Sequence, residues 1–327
     1  MPYNFNMPIS VESMRSQPLV AGLPVIKVIG VGGGGGNVVN RLIKEDIKNV
    51  EYIVTNTDSA VLRSSSAHIR IQIGEKITRG MGVGMRPEIG RMSAEESIEE
   101  LKSVLEGTDL VFIAVGMGGG TGTGAAPVIA EIAKEKKALT IGVVTTPFRF
   151  EGMKRQRIAD RGLVELRKHV DTLITISNNR LLETASRKTS VREAFSLADD
   201  VLKQAISGIA TLINLEGVVN LDFADLQTVM ARKGTAIMGT GIGVGKNRGI
   251  EAVKNAIFSP ILDQPIEGAS GIIVNIVADE GFTLLDAEAA VNFVQRGASQ
   301  DADVIFGLVY NPEQKEEVVA SVIATGF

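Results

Sequence analysis

Gly116-Met117-Gly118-Gly119-Gly120-Thr121-Gly122-Thr123-Gly124 stands between an apolar run, Leu110-Val111-Phe112-Ile113-Ala114-Val115, and a stretch from Ala125 to Lys136 with helical character. The apolar run is β-rich and short enough for a buried strand, so the order is strand, glycine loop, helix. Lacking Cβ atoms, the loop backbone can take positive φ and come close to a ligand. Its consecutive N–H groups and the N-terminus of the following helix can then converge on an anion. Thr121 and Thr123 add hydroxyls. A merely flexible loop has no need to sit between a core strand and a helix, so a phosphate site is the reading that uses the context.

The same grammar recurs on both sides. Val25 to Val31 reads as a buried strand running into Gly32-Gly33-Gly34-Gly35-Gly36-Asn37, and Val38, Val39, Leu42 and Ile43 then have helical spacing. Glu51 to Thr55 and Ile69 to Ile73 are further strands, and a third glycine loop runs from Gly80 to Pro87. Ser93, with Glu96 three residues on, has the capping-box spacing for a helix from Ser93 to Glu106. Leu139 to Thr145 and Thr172 to Ile176 add strands, separated by a helix from Arg155 to His169. Alternating β and α segments predict an α/β fold with a doubly wound, mostly parallel sheet and ligands at the carboxyl ends of its strands. All three glycine loops are expected at such ends.

From Val191 to Leu215 apolar residues keep helical spacing for about six turns, and the far half carries few charges on any face. This predicts a long central helix buried between two domains. Beyond it lie a helix ending near Ala231, strands at Thr235–Thr240, Gly271–Val277, Val304–Tyr310 and Val318–Thr325, and helices at Ile250–Phe258 and Leu284–Gln295. The expected organisation is an arm over 1–24, a nucleotide domain over 25–190, the central helix over 191–216 and a smaller α+β domain over 217–327. Gly239 to Lys246 lacks the Walker spacing and reads as a strand-end turn.

Composition limits the function classes. The chain has 327 residues, 34 basic and 38 acidic, for a formal net charge of −4, which gives no global attraction to nucleic acid or to an anionic membrane. With no cysteine there are no disulfides, no thiolate chemistry and no cysteine-held metal, which fits a cytoplasmic protein. His68 and His169 are isolated, so no protein-built metal site is expected. No apolar run reaches the ~18 residues of a membrane span and no amphipathic basic helix is evident, so neither export nor direct membrane binding is expected.

Two nucleotide chemistries compete on spacing. Gly30-Val31-Gly32-Gly33-Gly34-Gly35 satisfies the dinucleotide fingerprint, and Asp58 lies roughly 20 residues on, where a ribose-binding acid would stand in a dinucleotide-dependent oxidoreductase. One pyrophosphate, however, needs one loop, whereas three loops at one sheet edge suit a chain of phosphates held from several sides. No Walker lysine is present in either main loop.

With these residues in view, GMGGGTGTG at Gly116–Gly124 resembles the signature loop of the tubulin/FtsZ superfamily, and specifically its branch of cell-division GTPases. GVGGGGGN at Gly30–Asn37, NTD at Asn56–Asp58, TRGMGVG at Thr78–Gly84, FEG at Phe150–Gly152, NLDFAD at Asn220–Asp225 and the terminal IATGF extend the resemblance over nearly the whole chain beyond the arm. It implies a GTP-binding domain and a smaller carboxy-terminal domain joined by a central helix, with GTP or GDP and Mg²⁺ as cofactors. It also assigns roles. Phe195 and Asp199 match residues that contact guanine: the ring can lie on the base, and an ionised carboxylate, acceptor only, suits guanine's N–H donors. Asn178 matches a base contact, and Glu151 and Arg155 lie near ribose and phosphates. Gly33, Gly34, Asn37, Gly84, Gly118, Gly119, Gly120, Thr121 and Gly122 are expected to line the nucleotide. Asn220, Asp222 and Asp225 match the catalytic loop, whose carboxylates orient the attacking water.

About 20 helical residues separate Asp199 from that loop, on the order of 30 Å at ~1.5 Å per residue. One subunit's loop therefore cannot reach its own nucleotide. A second copy must complete the site, in a heterologous contact that propagates as a filament. Division-ring tethering proteins bind the family on a tail beyond the position matching Phe327 and are expected partners of a longer form only. A tubulin-like structural filament with weak hydrolysis is a further alternative. Val83, Met85 and Arg86 are bulkier than the family's usual residues near the γ-phosphate. Ser177, Asn179 and Gln227 also depart from the pattern, and all of these bear on rate more than on fold.

Overall fold

A computed structural model describes residues 22–184, 186, 188–214, 222–231, 234–262, 264–299 and 301–327. The first half is a run of β/α units. In order they are β1 (Ile26–Val31), α1 (Gly32–Leu42), β2 (Val50–Asn56), α2 (Ser59–Arg63), β3 (Ile69–Gln72), α3 (Glu75–Thr78), α4 (Pro87–Glu96) and α5 (Ile98–Val104). There follow β4 (Leu110–Gly116), α6 (Thr121–Glu135), β5 (Leu139–Thr146), α7 (Met153–Leu166), β6 (Thr172–Ser177) and α8 (Asn178–Thr184). The central helix is α9 (Val191–Asn214). The second half comprises α10 (Phe223–Met230), β7 (Gly234–Val244), α11 (Arg248–Ile257), β8 (Gly271–Ala278), α12 (Leu284–Gly297), β9 (Asp303–Tyr310) and β10 (Glu317–Thr325).

The strands form one ten-stranded sheet in the order β3-β2-β1-β4-β5-β6-β7-β10-β8-β9. β1 to β6 are parallel throughout, with β1 between β2 and β4. The reversal of strand order beside β1 is the switch point at which doubly wound sheets bind ligands. The two halves are joined by β7. Its first residues pair in parallel with β6 (Thr172 opposite Gly234, Ile174 opposite Ala236), while the rest pairs antiparallel with β10.

Burial follows the pattern expected of strands covered on both faces: every residue of β1 is buried, and in β4 only Gly116 is partly open. One core sets β1, β4 and β5 against α9, whose Val201, Leu202, Ile206, Ile209, Leu212 and Ile213 are buried together with Ile273 and Ile323 of the second half. At about 1.5–3 kcal/mol per large aliphatic side chain removed from water, this stripe fixes α9 against both halves. The opposite face of the sheet is covered by helices including α5 and α6, and the second half has its own core around α11 and α12.

Three local expectations need correction. The first glycine segment is not a loop that precedes its helix: α1 begins at Gly32, so glycines form its first turn, whereas Met117–Gly120 do form a loop between β4 and α6, which begins at Thr121. Ser93 is no N-cap. Pro87, at the first helical position, starts α4 earlier, and the Ser93 hydroxyl donates to Ile89 O within the helix (2.8 Å). Glu96 instead accepts from the N–H groups of Lys76 (2.9 Å) and Ile77 (3.1 Å) at the start of α3. Gly239 to Val244 is not a turn but the body of β7. A Cβ on Gly239, Gly241 or Gly243 would lie 2.0, 2.3 or 1.9 Å from a carbonyl oxygen of α11, so alternate glycines let that helix rest directly on the strand.

Candidate functional site: a nucleotide cleft at the carboxyl edge of the sheet

The carboxyl ends of β1, β4 and β5, the start of α8 and one face of α9 enclose a cavity of about 320 Å³. Gly34 and Asn37 line it from α1, Gly116 and Met117 from the end of β4, and Thr145 and Pro147 from the end of β5. Glu151, Arg155, Asn178, Phe195 and Asp199 close it from the far side. Binding pockets for small molecules begin at about this size.

The floor attracts anions. Neither α1 nor α6 has a side chain capping its N-terminus, and neither has an acid in its first turn. The free N–H groups and positive dipole ends of two helices on neighbouring strands thus face one cleft. The glycine segments touch one another: a Cβ on Gly34 would lie 3.2 Å from Gly116 Cα, and one on Gly120 would lie 2.5 Å from the carbonyl oxygen of Gly84 in the third loop.

The predicted phosphate residues divide into two groups. Gly33 and Gly119 border open space. Gly118, Gly120, Thr121 and Gly122 are buried and shape the loop. Gly118 (φ +99°) donates its N–H to Thr123 Oγ1 at 2.9 Å, and a side chain there would strike Arg155 and Pro147. The Thr121 hydroxyl, expected at the ligand, is 2.9 Å from Thr57 Oγ1 in a buried pair. Val83 is buried and would meet a Cβ on Gly120, so the bulk noted in that loop packs under the glycine turn, while Met85 and Arg86 stay exposed.

The opposite wall is polar and aromatic. Glu151 accepts from Phe148 N (2.9 Å) and from Arg155 Nη1 (2.6 Å), an ion pair whose carboxylate is nearly buried. Asn178 is 5% exposed, and its Oδ1 has no hydrogen-bond partner among the described residues. An orphaned buried acceptor on a cavity wall matches a ligand N–H donor. Phe195 is half exposed and edge-on to Phe148 (ring centroids 5.2 Å apart), with Phe150 stacked on Phe148 at 5.0 Å. Asp199 is raised to about 6, first by burial and then, against the pull of Arg41, by the neighbouring Asp200. Asp58, the acid a dinucleotide enzyme would turn to ribose, instead caps α2, accepting from Ala60 N (2.9 Å) and Val61 N (3.3 Å).

Thr145, Pro147 and Met117 were not singled out from sequence. Their position directly after strands at the loaded sheet edge was the available signal. Asp222 and Asp225 are exposed at the start of α10 and belong to no part of this cavity, and Asp222 accepts from Ala224 N at 3.0 Å. Asn220 lies outside the described residues. α10 ends at Met230, whose carbonyl accepts from the Thr172 hydroxyl at the beginning of β6. α9 ends at Asn214, which donates to Lys48 O just before β2 (2.8 Å). Both elements therefore finish at the amino edge of the sheet, opposite the cleft.

A switch-point cleft with two uncapped helix N-termini and a base-sized wall carrying an aromatic ring, an amide and a carboxylate defines a nucleotide-binding protein. Residues 25–186 match the GTPase domain of the Tubulin/FtsZ family, and residues 234–327 match the C-terminal domain of the FtsZ family. The empty FtsZ dimer of M. jannaschii is 40% identical, with a TM-score of 0.90 over 93% of this chain and 88% of that one. A mutant of the same protein is 41% identical, with a TM-score of 0.89 over 92% and 90%. CetZ2 of Haloferax volcanii, in a GTPγS-bound protofilament, shares the fold at 22% identity and a TM-score of 0.78, over 92% of each chain. The chain belongs to the Tubulin/FtsZ family, and its first domain is of the guanine-nucleotide-binding kind.

Proposed function

We propose that this protein binds GTP in the cleft, hydrolyses it to GDP and phosphate, and polymerises head-to-tail, each nucleotide being completed by the catalytic loop of the adjacent subunit. The observation that carries the reading is the separation of parts: the nucleotide cleft is at the carboxyl edge of the sheet, whereas the carboxylates at the start of α10 line no part of it and that helix finishes at the other edge. Asp199 and Asn178 read the guanine edge and Phe195 lies against the base. The N–H groups at the starts of α1 and α6 hold the phosphates. From the neighbouring subunit, Asp222 and Asp225 accept hydrogen bonds from the attacking water and orient it, with Asn220 beside them. Among the described residues no group of three or more histidines or acids could hold a metal ion. A magnesium ion would be carried mainly by the phosphate oxygens, neutralising their charge.

In the cell such a filament would form the division ring in the cytoplasm, with tethering partners engaged by a longer form. Among the described residues no helix is long and apolar enough to cross a membrane.

The test is GTP turnover as a function of protein concentration, with electron microscopy of the same samples. Turnover per subunit should rise steeply where filaments appear. Constant turnover per subunit at dilutions without assemblies would overturn the shared site, and filaments without phosphate release would favour a structural filament.

A further inference from the structure

Arg41, in the last turn of α1, reaches across to the helix that faces the base. Its guanidinium spreads over one face of α9: Nη2 donates to Ser196 Oγ (3.0 Å), Nη1 to Asp200 Oδ1 (2.8 Å), and Nε lies 3.5 Å from Asp199 Oδ2. Ser196, Asp199 and Asp200 stand at i, i+3 and i+4, so one planar fork holds a single helical face. Arg41 also lines the outer vestibule that Asn37, Phe195 and Asp199 share with the cleft.

The other charges around Asp199 are accounted for. Asp200 is its neighbour on α9, Lys203 of α9 pairs with Glu45 at 2.6 Å, and Glu151 pairs with Arg155 across the cleft. Lys44 and Arg192 also line the outer vestibule. Arg41 is the cation in contact with it. Without Arg41, a largely buried carboxylate beside a second carboxylate would take up a proton. A protonated Asp199 loses its charge and half of its acceptor capacity, so the charge-assisted hydrogen bonds it can accept from guanine's N–H donors weaken.

We propose that Arg41 is a positioning residue for guanine selection: it keeps Asp199 an acceptor and engages Oδ2, leaving Oδ1 for the base. This rests on the guanine reading of the cleft. It also gives α1, the helix rooted in the phosphate loop, a direct tie to the residue that reads the base.

The experiment measures GDP and ADP affinity from pH 5 to 9 for the wild type, Arg41→Gln and Asp200→Asn. Arg41→Gln should raise the midpoint of GDP binding, and each unit of that rise weakens binding below the midpoint by up to about 10-fold. Affinity should recover as pH rises, and ADP binding should change little. Asp200→Asn, an exposed change that removes the competing carboxylate, should move the midpoint of GDP binding downward. An Arg41→Gln midpoint equal to the wild type's, or a loss uniform across pH, overturns the proposal, as does an unshifted or raised midpoint in Asp200→Asn. If Arg41→Gln does not fold, Arg41→Lys decides: it keeps a cation beside Asp199 but not the planar fork, and a midpoint equal to the wild type's together with unchanged GDP affinity would overturn the positioning role. A wild type with no preference for GDP over ADP at pH 8 would instead defeat the guanine reading itself.

Discussion

On the proposed guanine reading, Asp199 concentrates the chemistry of recognition in one side chain. Its folded value of about 6 lies above that of a free aspartate, with burial as the main cause. The sign follows directly: the folded state disfavours the charged form, so Asp199 subtracts stability in full above pH 6, and that cost shrinks as pH falls from 6 toward the ordinary aspartate value of 3.8. Guanine needs the charged form. GDP affinity is therefore expected to fall below pH 6 while the folded state gains, so binding and thermal stability should move in opposite directions across pH 5 to 7. Titration calorimetry and melting at matched pH test this, and parallel changes would contradict it. Asp199→Ala should lose guanine selectivity, and an unchanged GTP-over-ATP preference would remove the residue from the base contact. The same cleft shows why a residue type is not yet a role: Thr121 and Gly118 carry the expected groups, but those groups are already paired with Thr57 and Thr123.

Among the elements, β7 does most to turn two domains into one sheet, and it does so with its glycines. Alternate positions 239, 241 and 243 face the α11 backbone, while Ile242 and Val244 project to the exposed side. A β-branched side chain at Gly241 would have to displace a helix backbone, which interdigitating side chains cannot absorb. Gly241→Val is expected to destabilise by more than about 3 kcal/mol. Val244→Thr, on the open face, should cost under about 1 kcal/mol. Urea unfolding of both variants checks the contrast, and equal midpoints would mean that the close approach of α11 is not required. α9 works differently. Its buried stripe is continuous, so its placement survives single polar changes at its exposed positions but ties the cleft at one end to α10 beyond the other.

At the scale of the molecule, a pocket at one edge of the sheet and a helix α10 that finishes at the opposite edge support the proposed division of the site between two copies. Asp222→Ala should bind GTP normally and lose turnover by roughly 10²- to 10⁴-fold, the range for a positioned acid-base or water-orienting group. Gly118→Arg should block the phosphate loop, where even a Cβ would meet Arg155 and Pro147 at 2.8 Å, while leaving its own Asp222 intact. Neither variant should turn over alone. Mixed, or covalently linked in the order that presents the intact loop to the occupied cleft, they should recover part of the activity. Wild-type turnover by Asp222→Ala would show the shared site to be wrong.

Much of this protein was legible in its residues. Strand order along the chain, the two main glycine segments at strand ends and the long central helix follow from local rules, whereas the third glycine loop follows α3 and not a strand. Apolar runs, helical spacing and missing Cβ atoms act over a few residues, and the chain records them directly. Those rules stopped short where partners are distant in sequence. Glu96 has capping-box spacing from Ser93 yet caps α3, because Pro87 had already begun α4. Gly239 to Val244 has turn-like composition yet is strand, because α11 rests on it. Only the tertiary structure decided which glycine N–H groups remain free for a ligand, that Asn178 is left with an orphaned acceptor, and that Arg41 reaches Asp199 across 158 positions of sequence. It also decided the burial that raises Asp199. Desolvation and pairing are properties of what surrounds a group, and those surroundings exist only once helices and strands from distant parts of the chain have closed around it.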